Sequence, residues 1–197
     1  MASNLKNLSN YKTTKLNIEG AKIGIVVSEW NEEITDALAS GTIEVLEKHG
    51  LTDQDYTVKY VPGTFELALG AQFLIEKQSV DAVICLGCVI QGETRHFDFI
   101  CNASANAIAK LNLDSEVPVI FGVLTTDNQQ QAIDRSGGKH GNKGTEAGIT
   151  ALKMISLKND LDDEFEDFID AFDDEFFDDD ELDDTTNHLW VDDSKED

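Results

Sequence analysis

Cysteine is scarce in this sequence, with three residues among 197, and this scarcity excludes a disulfide framework. Cys85 and Cys88 have the C-x-x-C spacing of redox motifs and of half a metal site. Both lie in or beside the apolar run "DAVICLGCVI", with no second pair and no neighbouring histidine cluster. Core packing is therefore the favoured interpretation of both thiols. Free thiols also favour a reducing compartment.

The sequence lacks a charged-then-apolar signal layout at its N-terminus, and no apolar run reaches the length of a membrane span. We therefore expect a soluble, cytoplasmic protein with no membrane partner. The apolar share of 41% is ordinary for a globular protein. The length suits a single domain with a sizeable core.

Basic residues are almost missing from the C-terminal fifth of the chain, and this shortage accounts for most of the net charge of −24. Residues 160–197 carry 20 acidic side chains and one basic side chain, Lys195, whereas residues 1–159 carry 19 acids and 14 bases. A mildly acidic body is thus followed by an acidic tail. Because nucleic acid is a polyanion, we do not expect so acidic a chain to bind it.

Short β-branched runs alternate with segments of helical periodicity. Asn31 is predicted to cap the first helix, which Glu32 and Glu33 suit at its positive first turn. The alternation predicts an α/β three-layer sandwich around a central four-stranded parallel sheet with right-handed crossovers. The predicted strands span residues 21–28, 56–61, 81–87 and 117–124; the predicted helices follow Asn31 as far as His49-Gly50, span about 64–77, 94–111 and 143–157, and include a short helix before residue 136.

The composition divides the chain into an N-terminal arm (1–20), an α/β domain (21–158) and an acidic low-complexity tail (159–197). The arm segment "TKLNIEG" has two interpretations, an extra edge strand of the sheet or a strand that pairs with another subunit. The dense like charge of the tail predicts disorder in isolation. A second interpretation is an acidic amphipathic segment that folds on a basic partner or a neighbouring subunit. It depends on apolar residues at helical spacing: Leu161, Phe165, Phe168, Ile169, Phe172 and Phe176.

The candidate site residues follow the predicted strands. In an open parallel sheet, ligands bind beyond the carboxyl ends of the strands. At that edge the sequence places an indole (Trp30), a ring and a carboxylate (Phe65, Glu66), a loop with backbone donors (Gly92 to Thr94) and an imidazole (His96). The residues alone predict a small anionic or polar aromatic ligand, and they do not name a reaction.

Each of these features also has a purely structural interpretation. Trp30 is then a surface aromatic, Glu66 a helix cap and His96 a solvated helix residue. Gly137–Gly144 is a helix kink in that interpretation. With Arg135 before it and Lys139 and Lys143 within it, the same segment also suits a phosphate.

Four segments, in this order, resemble the 6,7-dimethyl-8-ribityllumazine synthase family of riboflavin biosynthesis. They are "KIGIVVSEWNEEIT", "VPGTFELALGA", "GCVIQGETRHFDFICNASA" and "VPVIFGVLTTDNQQQAIDRSGGKHGNKG". The resemblance covers roughly residues 21–157 and excludes the tail. It implies a flavodoxin-like fold and a transferase that joins 5-amino-6-(D-ribitylamino)uracil to 3,4-dihydroxy-2-butanone 4-phosphate. Phosphate and water leave, and the resemblance implies no metal or organic cofactor.

The resemblance also implies roles for particular residues. His96 matches the proton-transfer residue, which suits an imidazole because it can act as acid and as base near neutral pH. Phe121 and Arg135 match residues that a neighbouring subunit contributes. The implied pyrimidine-binding residues are Trp30, Asn31, Thr64, Phe65, Glu66, Cys88, Val89, Ile90 and Phe121; the implied phosphate-binding residues are Glu93, Thr94, Arg135 and Lys143.

Three positions depart from the pattern that the family usually shows. Trp30 stands where phenylalanine is commoner, and its wider ring predicts riboflavin binding. Glu93 puts a carboxylate in the phosphate loop, so we expect its side chain to point away. Gln91 stands where a basic residue is common.

The resemblance implies a homo-oligomer built from pentamers. These are either free or assembled into a shell of sixty subunits, which the short "SGGKHGNKG" connection favours. Riboflavin synthase is a candidate partner. Two alternative functions remain. One is a flavin- or lumazine-binding shell with weak or lost catalysis. The other is a phosphate-binding signalling domain. Such a domain would have an acidic pocket after its first strand, which this sequence lacks.

Overall fold

The computed structural model describes the backbone of residues 15–176 and the side chains of residues 15–170. Within these residues the chain divides into two units, one up to Asp160 and one from Leu161 onward. Strands and helices alternate along the described residues, as the sequence predicts. The strands are β1 (Ile23–Ser28), β2 (Tyr56–Val61), β3 (Ala82–Ile90), β4 (Val119–Thr126), β5 (Ser136–Gly138) and β6 (Gly141–Asn142); the helices are α1 (Glu32–Lys48), α2 (Leu67–Gln78), α3 (His96–Ser115), α4 (Gln129–Arg135) and α5 (Lys143–Phe176), and a 3-10 turn spans Thr64–Glu66.

The first four strands form one parallel sheet in the order β2-β1-β3-β4. The chain passes from β1 to β2 on one side and then returns to place β3 on the other side of β1. The predicted four-stranded parallel sheet is therefore confirmed, and the fold is a flavodoxin-like α/β sandwich. This order puts a topological switch point between β1 and β3, where the crossovers diverge and leave a crevice.

Helices cover both faces of the sheet, which explains why its strands are almost continuously apolar. Side chains of α1, α4 and α5 pack on one face against Ile25 and Leu86. Side chains of α2 and α3 pack on the other face against Val26 and Cys85. Successive strand residues thus enter opposite halves of the core, because strand side chains alternate.

Helices α1 and α5 approach each other closely because small residues line their contact. A Cβ at Gly144 would collide with the backbone carbonyl of Leu38. The Thr42 hydroxyl donates to the Gly144 carbonyl at 3.0 Å, and the Thr145 hydroxyl donates to the Gly41 carbonyl at 3.1 Å. These reciprocal bonds fix the first turn of α5 against the middle of α1.

The observed ends of several elements differ from the predicted ones. Strand β3 continues to Ile90 rather than to residue 87, because its last three residues still pair with Leu124, Thr125 and Thr126 of β4. Helix α3 begins at His96 and ends at Ser115, later than predicted at both ends. The predicted end of α5 near Leu157 is wrong, since the helix continues to Phe176.

The proposed edge strand of the N-terminal arm is not present in residues 15–20, which have irregular structure ending in a turn. This segment instead lies along α5. The backbone N–H of Asn17 donates to the Ser156 hydroxyl at 2.9 Å. The side-chain amide of Asn159 donates to the backbone carbonyl of Asn17 at 2.9 Å. Leu16 and Ile18 pack against the core on that side. The rest of the arm lies outside the described residues.

The second unit is helical from Leu161 to Phe176, although the sequence predicts disorder for the tail. Within it Leu161, Phe165 and Ile169 are exposed, and their spacing places them on one helical face. The remainder of the predicted tail, residues 177–197, lies outside the described residues. Within residues 15–176, no helix is long and apolar enough to span a membrane.

The close contact between α1 and α5 predicts that Gly144→Ala is strongly destabilising. The new methyl group meets backbone that cannot rotate away, so we expect a loss of about 3 kcal/mol or more of unfolding free energy. Denaturation at a fixed protein concentration measures the loss. Gly92→Ala is the matched control, because a Cβ at Gly92 meets nothing within 4 Å. Equal stability of the two variants would contradict the close contact.

Candidate active site

The crevice between β1 and β3 contains a cavity of about 630 Å³ at the carboxyl ends of the strands. Residues that follow β1 and β2, the last residues of β3 and the first turns of α3 line it. They are Trp30, Asn31, Gly63, Thr64, Phe65, Glu66, Cys88, Val89, Ile90, His96 and Ile100. The topological switch point therefore produces the cavity, and this volume suits a small aromatic ligand.

One wall of the cavity is a free strand edge. The pairing between β1 and β3 ends at Val27 and Leu86, so β3 extends beyond its neighbour by several residues. The carbonyl of Cys88 points to that side, where it accepts the Asn31 side-chain amide at 2.9 Å. Because backbone groups alternate along a strand, the N–H and C=O of Ile90 face the same side. This edge can hydrogen-bond a planar ring that has both donors and acceptors.

Asn31 serves the site differently from the predicted cap. It occupies the N-cap position of α1, but its side chain makes no capping hydrogen bond. Its backbone is left-handed, with φ of 60°, a conformation that asparagine tolerates better than most residues. The predicted N-cap position is therefore confirmed, although the side chain does not make the capping hydrogen bond usual there. The side chain instead ties the turn after β1 to the end of β3.

Aromatic rings stand at the entrance of the cavity. The Trp30 side chain is 73% exposed and the Phe65 side chain is 57% exposed. A Cβ at Gly63 would lie 3.5 Å from the Trp30 ring and 3.1 Å from a Glu66 carboxylate oxygen. Glycine at this position thus lets the indole and the carboxylate approach the same small volume. Large exposed rings of this kind can stack on a flat ligand.

The 3-10 turn that presents Phe65 and Glu66 is fixed from two sides. A Cβ at Gly87 would lie 2.8 Å from the Thr64 hydroxyl, so the turn sits directly on β3. The Ser104 hydroxyl of α3 donates to the Thr64 carbonyl at 3.1 Å. The carboxylate of Glu66 is consequently held on a rigid support rather than on a mobile loop.

The cysteines do not supply a nucleophile. Burial raises the pKa of the Cys85 thiol to about 12 and that of Cys88, beside the cavity, to about 11. Both thiols therefore stay protonated at neutral pH, as packing residues do. Among the described residues no group of three His, Cys, Asp or Glu side chains is arranged to hold a metal.

Residues 20–159 match the family model for 6,7-dimethyl-8-ribityllumazine synthase. The chain belongs to the 6,7-dimethyl-8-ribityllumazine synthase family. It is 63% identical over 156 residues to the 6,7-dimethyl-8-ribityllumazine synthase of Cytophaga hutchinsonii, covering 79% of this chain and 98% of that protein. It is 50% identical over 159 residues to the Porphyromonas gingivalis protein of the same name, covering 80% of this chain and 99% of that protein.

Most of the pyrimidine-binding residues implied by the family resemblance line the cavity, and Phe121 lies elsewhere. It sits on β4 opposite Cys85 and is partly exposed. Two further lining residues, Gly63 and Ile100, are absent from the predicted set. Ile100 lies one helical turn after His96, so helical spacing alone gave a signal for it. Gly63 was visible as part of a turn signal and not as a site residue.

The predicted phosphate-binding residues do not line the cavity of their own chain. Glu93 and Thr94 are exposed in the loop before α3, where the Thr94 hydroxyl accepts the His96 amide at 3.5 Å. Arg135 ends α4, and Lys143 begins α5. Both of these cations contact the Glu146 carboxylate instead. Among the described residues that line the cavity there is consequently neither lysine nor arginine.

The role of Asn31 can be tested by paired substitutions. Asn31→Ala loses the hydrogen bond to Cys88 and places a less tolerant residue at positive φ, so we expect a loss of about 2 kcal/mol of unfolding free energy. Asn31→Gly loses the bond but suits the backbone, and its loss should be about 1 kcal/mol. Urea denaturation of both variants at one protein concentration measures the difference. If alanine is tolerated as well as glycine, the left-handed turn does not constrain this position.

Proposed function

We propose that this chain condenses 5-amino-6-(D-ribitylamino)uracil with 3,4-dihydroxy-2-butanone 4-phosphate to give 6,7-dimethyl-8-ribityllumazine, phosphate and water, as a transferase of riboflavin biosynthesis. Membership of the family supports this reaction. The observation in the structure that carries it is the convergence of an exposed indole, a free strand edge, a carboxylate and an imidazole on one cavity. Few other ligands need all four of these groups.

Each group has a proposed part in the reaction. Trp30 stacks on the pyrimidine ring, and the backbone of Ile90 hydrogen-bonds the edge of that ring. The Glu66 carboxylate accepts hydrogen bonds from hydroxyl groups of the ribityl chain. The substrate amine is itself the nucleophile that attacks the butanone carbonyl, so no nucleophilic side chain is needed.

His96 moves protons as the imine forms, phosphate leaves and the second ring closes. It lies at the first position of α3, where it borders the cavity. Positioning of the two substrates supplies much of the rate enhancement, because it turns a bimolecular reaction into an effectively unimolecular one.

The phosphate is proposed to bind a neighbouring subunit. The cavity of one chain lacks a lysine or arginine among its described lining residues, yet one substrate carries a phosphate. Arg135 and Lys143 are the cations that we assign to this task, and Phe121 closes the pyrimidine side from the same neighbour. Gly92 to Thr94 approach the phosphate through backbone donors, which leaves the Glu93 carboxylate in solvent.

Homo-oligomerisation follows from this arrangement, and we infer a pentamer that assembles into a sixty-subunit shell. Large apolar side chains exposed on the neighbouring helices α2 and α3 support a self-association surface, because an apolar patch on a protein surface often marks an interface. These exposed residues are Leu69, Phe73, Phe99 and Leu113. Light scattering of the purified protein separates a pentamer from a shell. We place the reaction in the cytoplasm, where free thiols such as Cys101 stay reduced, with riboflavin synthase as a candidate partner.

A flavin-binding shell with weak catalysis is the second candidate, and the wide exposed ring of Trp30 favours it. Such a protein quenches riboflavin fluorescence and forms no lumazine when the two substrates are mixed. Turnover together with quenching supports an enzyme whose stacking residue also accepts the larger flavin ring.

Substitution of the imidazole tests the proposed chemistry. His96→Ala should lower kcat by about two orders of magnitude, as expected for loss of a general acid–base. Binding of the uracil substrate should stay within about threefold, because stacking and the strand edge remain. Lumazine fluorescence measures turnover, and equilibrium titration measures binding. His49→Ala, at the end of α1 and outside the cavity, is the control and should leave kcat unchanged.

Co-expression of two inactive variants tests the shared site. If His96 acts in one chain and Arg135 in its neighbour, mixed oligomers of His96→Ala and Arg135→Ala chains contain some intact sites. Random mixing predicts about a quarter of wild-type activity.

Mixed oligomers of His96→Ala and Glu66→Ala chains are the matched control for this experiment. Both residues line the same chain's cavity, so no mixed site is intact and activity should stay at background. A first mixture as inactive as this control would contradict a site shared between subunits.

A further inference from the structure

A cluster of one buried carboxylate and two half-buried cations lies outside the cavity, where α4, the β5–β6 hairpin and α5 meet. Glu146 is 7% exposed. One of its carboxylate oxygens lies 3.2 Å from the Lys143 ammonium, and the other lies 3.6 Å from the Arg135 guanidinium. The cluster therefore holds two half-buried cations around one largely desolvated anion.

The carboxylate has a rigid base. Glu146 lies in the first turn of α5, and the residue before it, Thr145, donates to the Gly41 carbonyl of α1 at 3.1 Å. Lys143 lies three residues earlier, so both side chains share one face of the helix. The backbone of Glu146 is therefore fixed by the α1–α5 contact.

Arg135 is oriented by this cluster without being fully engaged in it. Its guanidinium donates to the His140 carbonyl at a long 3.4 Å and lies beyond hydrogen-bond distance from Glu146. The oxygen of Glu146 that faces Arg135 has no hydrogen-bond partner among the described residues. A guanidinium has five donors in a planar fork, so the described contacts leave capacity for an incoming anion.

The cost of burying Glu146 also needs an explanation. A buried carboxylate with an unbonded oxygen is destabilising in itself, and apolar residues in place of the whole ion-pair cluster would often pack at equal or lower cost. The two cations offset this cost through attraction, and the cluster keeps a net charge of +1. Such an arrangement suits a carboxylate whose role is to position two cations.

We propose that Glu146 is a positioning residue that presents Arg135 and Lys143 together to the phosphate of the substrate bound in the neighbouring subunit. This inference rests on the proposed function, which assigns the two cations to that phosphate. Glu146 touches no substrate. It fixes the orientation of the Arg135 guanidinium and the position of the Lys143 ammonium before phosphate binds. The two cations therefore need no rearrangement when the anion arrives.

The test is steady-state kinetics of Glu146→Gln, which keeps the shape of the side chain and removes its charge. KM for the butanone phosphate should rise about tenfold. Removal of the negative charge makes the cluster more positive, but the misalignment of Arg135 and Lys143 weakens phosphate binding more than the extra positive charge strengthens it. KM for the uracil substrate and the size of the oligomer should stay unchanged. Binding of inorganic phosphate, measured by calorimetry, should weaken by a similar factor. Glu146→Asp, which keeps the charge, should recover most of the loss.

Asp134→Asn is the matched control, since Asp134 is another buried carboxylate of the same region and pairs with Lys139 at 2.9 Å. It should leave both KM values unchanged. An unchanged or lower KM for the butanone phosphate in Glu146→Gln, or an equal rise for both substrates, overturns the proposal.

Two further outcomes are separable from these. If Glu146→Gln fails to assemble, Glu146→Asp decides: a rise of about threefold confined to the butanone phosphate supports the proposal, and any other pattern overturns it. If the wild-type protein forms no lumazine, the proposed function fails, and the phosphate calorimetry still reports on Glu146.

Discussion

The unequal length of two neighbouring strands is the constraint on which the rest of the site depends. Strand β1 ends at Ser28, whereas β3 continues to Ile90 and keeps β4 as its partner on the far side. The near side of β3 therefore has backbone donors and acceptors without a neighbouring strand. Buried backbone groups must find partners, and here Asn31 supplies one for Cys88. The groups beyond it are available to a ligand.

A second constraint separates the parts of the site within one chain. The crossover after β4 leads through α4 and the β5–β6 hairpin to α5, which packs on the same sheet face as α1. Arg135 and Lys143 belong to this crossover and contact Glu146, while the cavity lies at the switch point between β1 and β3. A folded monomer thus has an apolar, aromatic cavity in one place, and the two cations that suit a phosphate, Arg135 and Lys143, in another. This separation is the physical reason for proposing a shared site.

The sequence predicted the parts of this structure that depend on regular patterns. Apolar strands and helical periodicity located the four parallel strands, and the strand ends then brought Trp30, Glu66 and His96 to one edge. Properties that depend on partners across the fold were not predictable in the same way. Asparagine before a helix is usually a cap, and nothing local shows that the Asn31 side chain reaches Cys88. The length of β3 likewise depends on β4, which continues beside it.

The end of α5 shows a segment where composition and periodicity favour different structures. The dense acids after Asp160 predicted disorder, because like charges repel. The apolar residues at helical spacing were the better guide as far as Phe176. Within this segment the acids occupy the positions between Leu161, Phe165 and Ile169, so a helix leaves the apolar residues on one face. Salt largely screens repulsion only between exposed charges more than about 10 Å apart, so neighbouring acids on this helix still oppose helix formation.

The overall charge also decides how an anionic substrate can be held. A chain with a net charge of −24 produces a field that repels phosphate at a distance, and Glu66 adds a carboxylate at the cavity itself. Long-range attraction therefore cannot supply the affinity for the butanone phosphate. Short-range contacts must do so, and these are strongest where solvent is excluded and the donors are already aligned. The proposed role of Glu146, a largely buried carboxylate that fixes two cations at the cost of its own desolvation, is a physically reasonable solution for phosphate binding by so acidic a sequence.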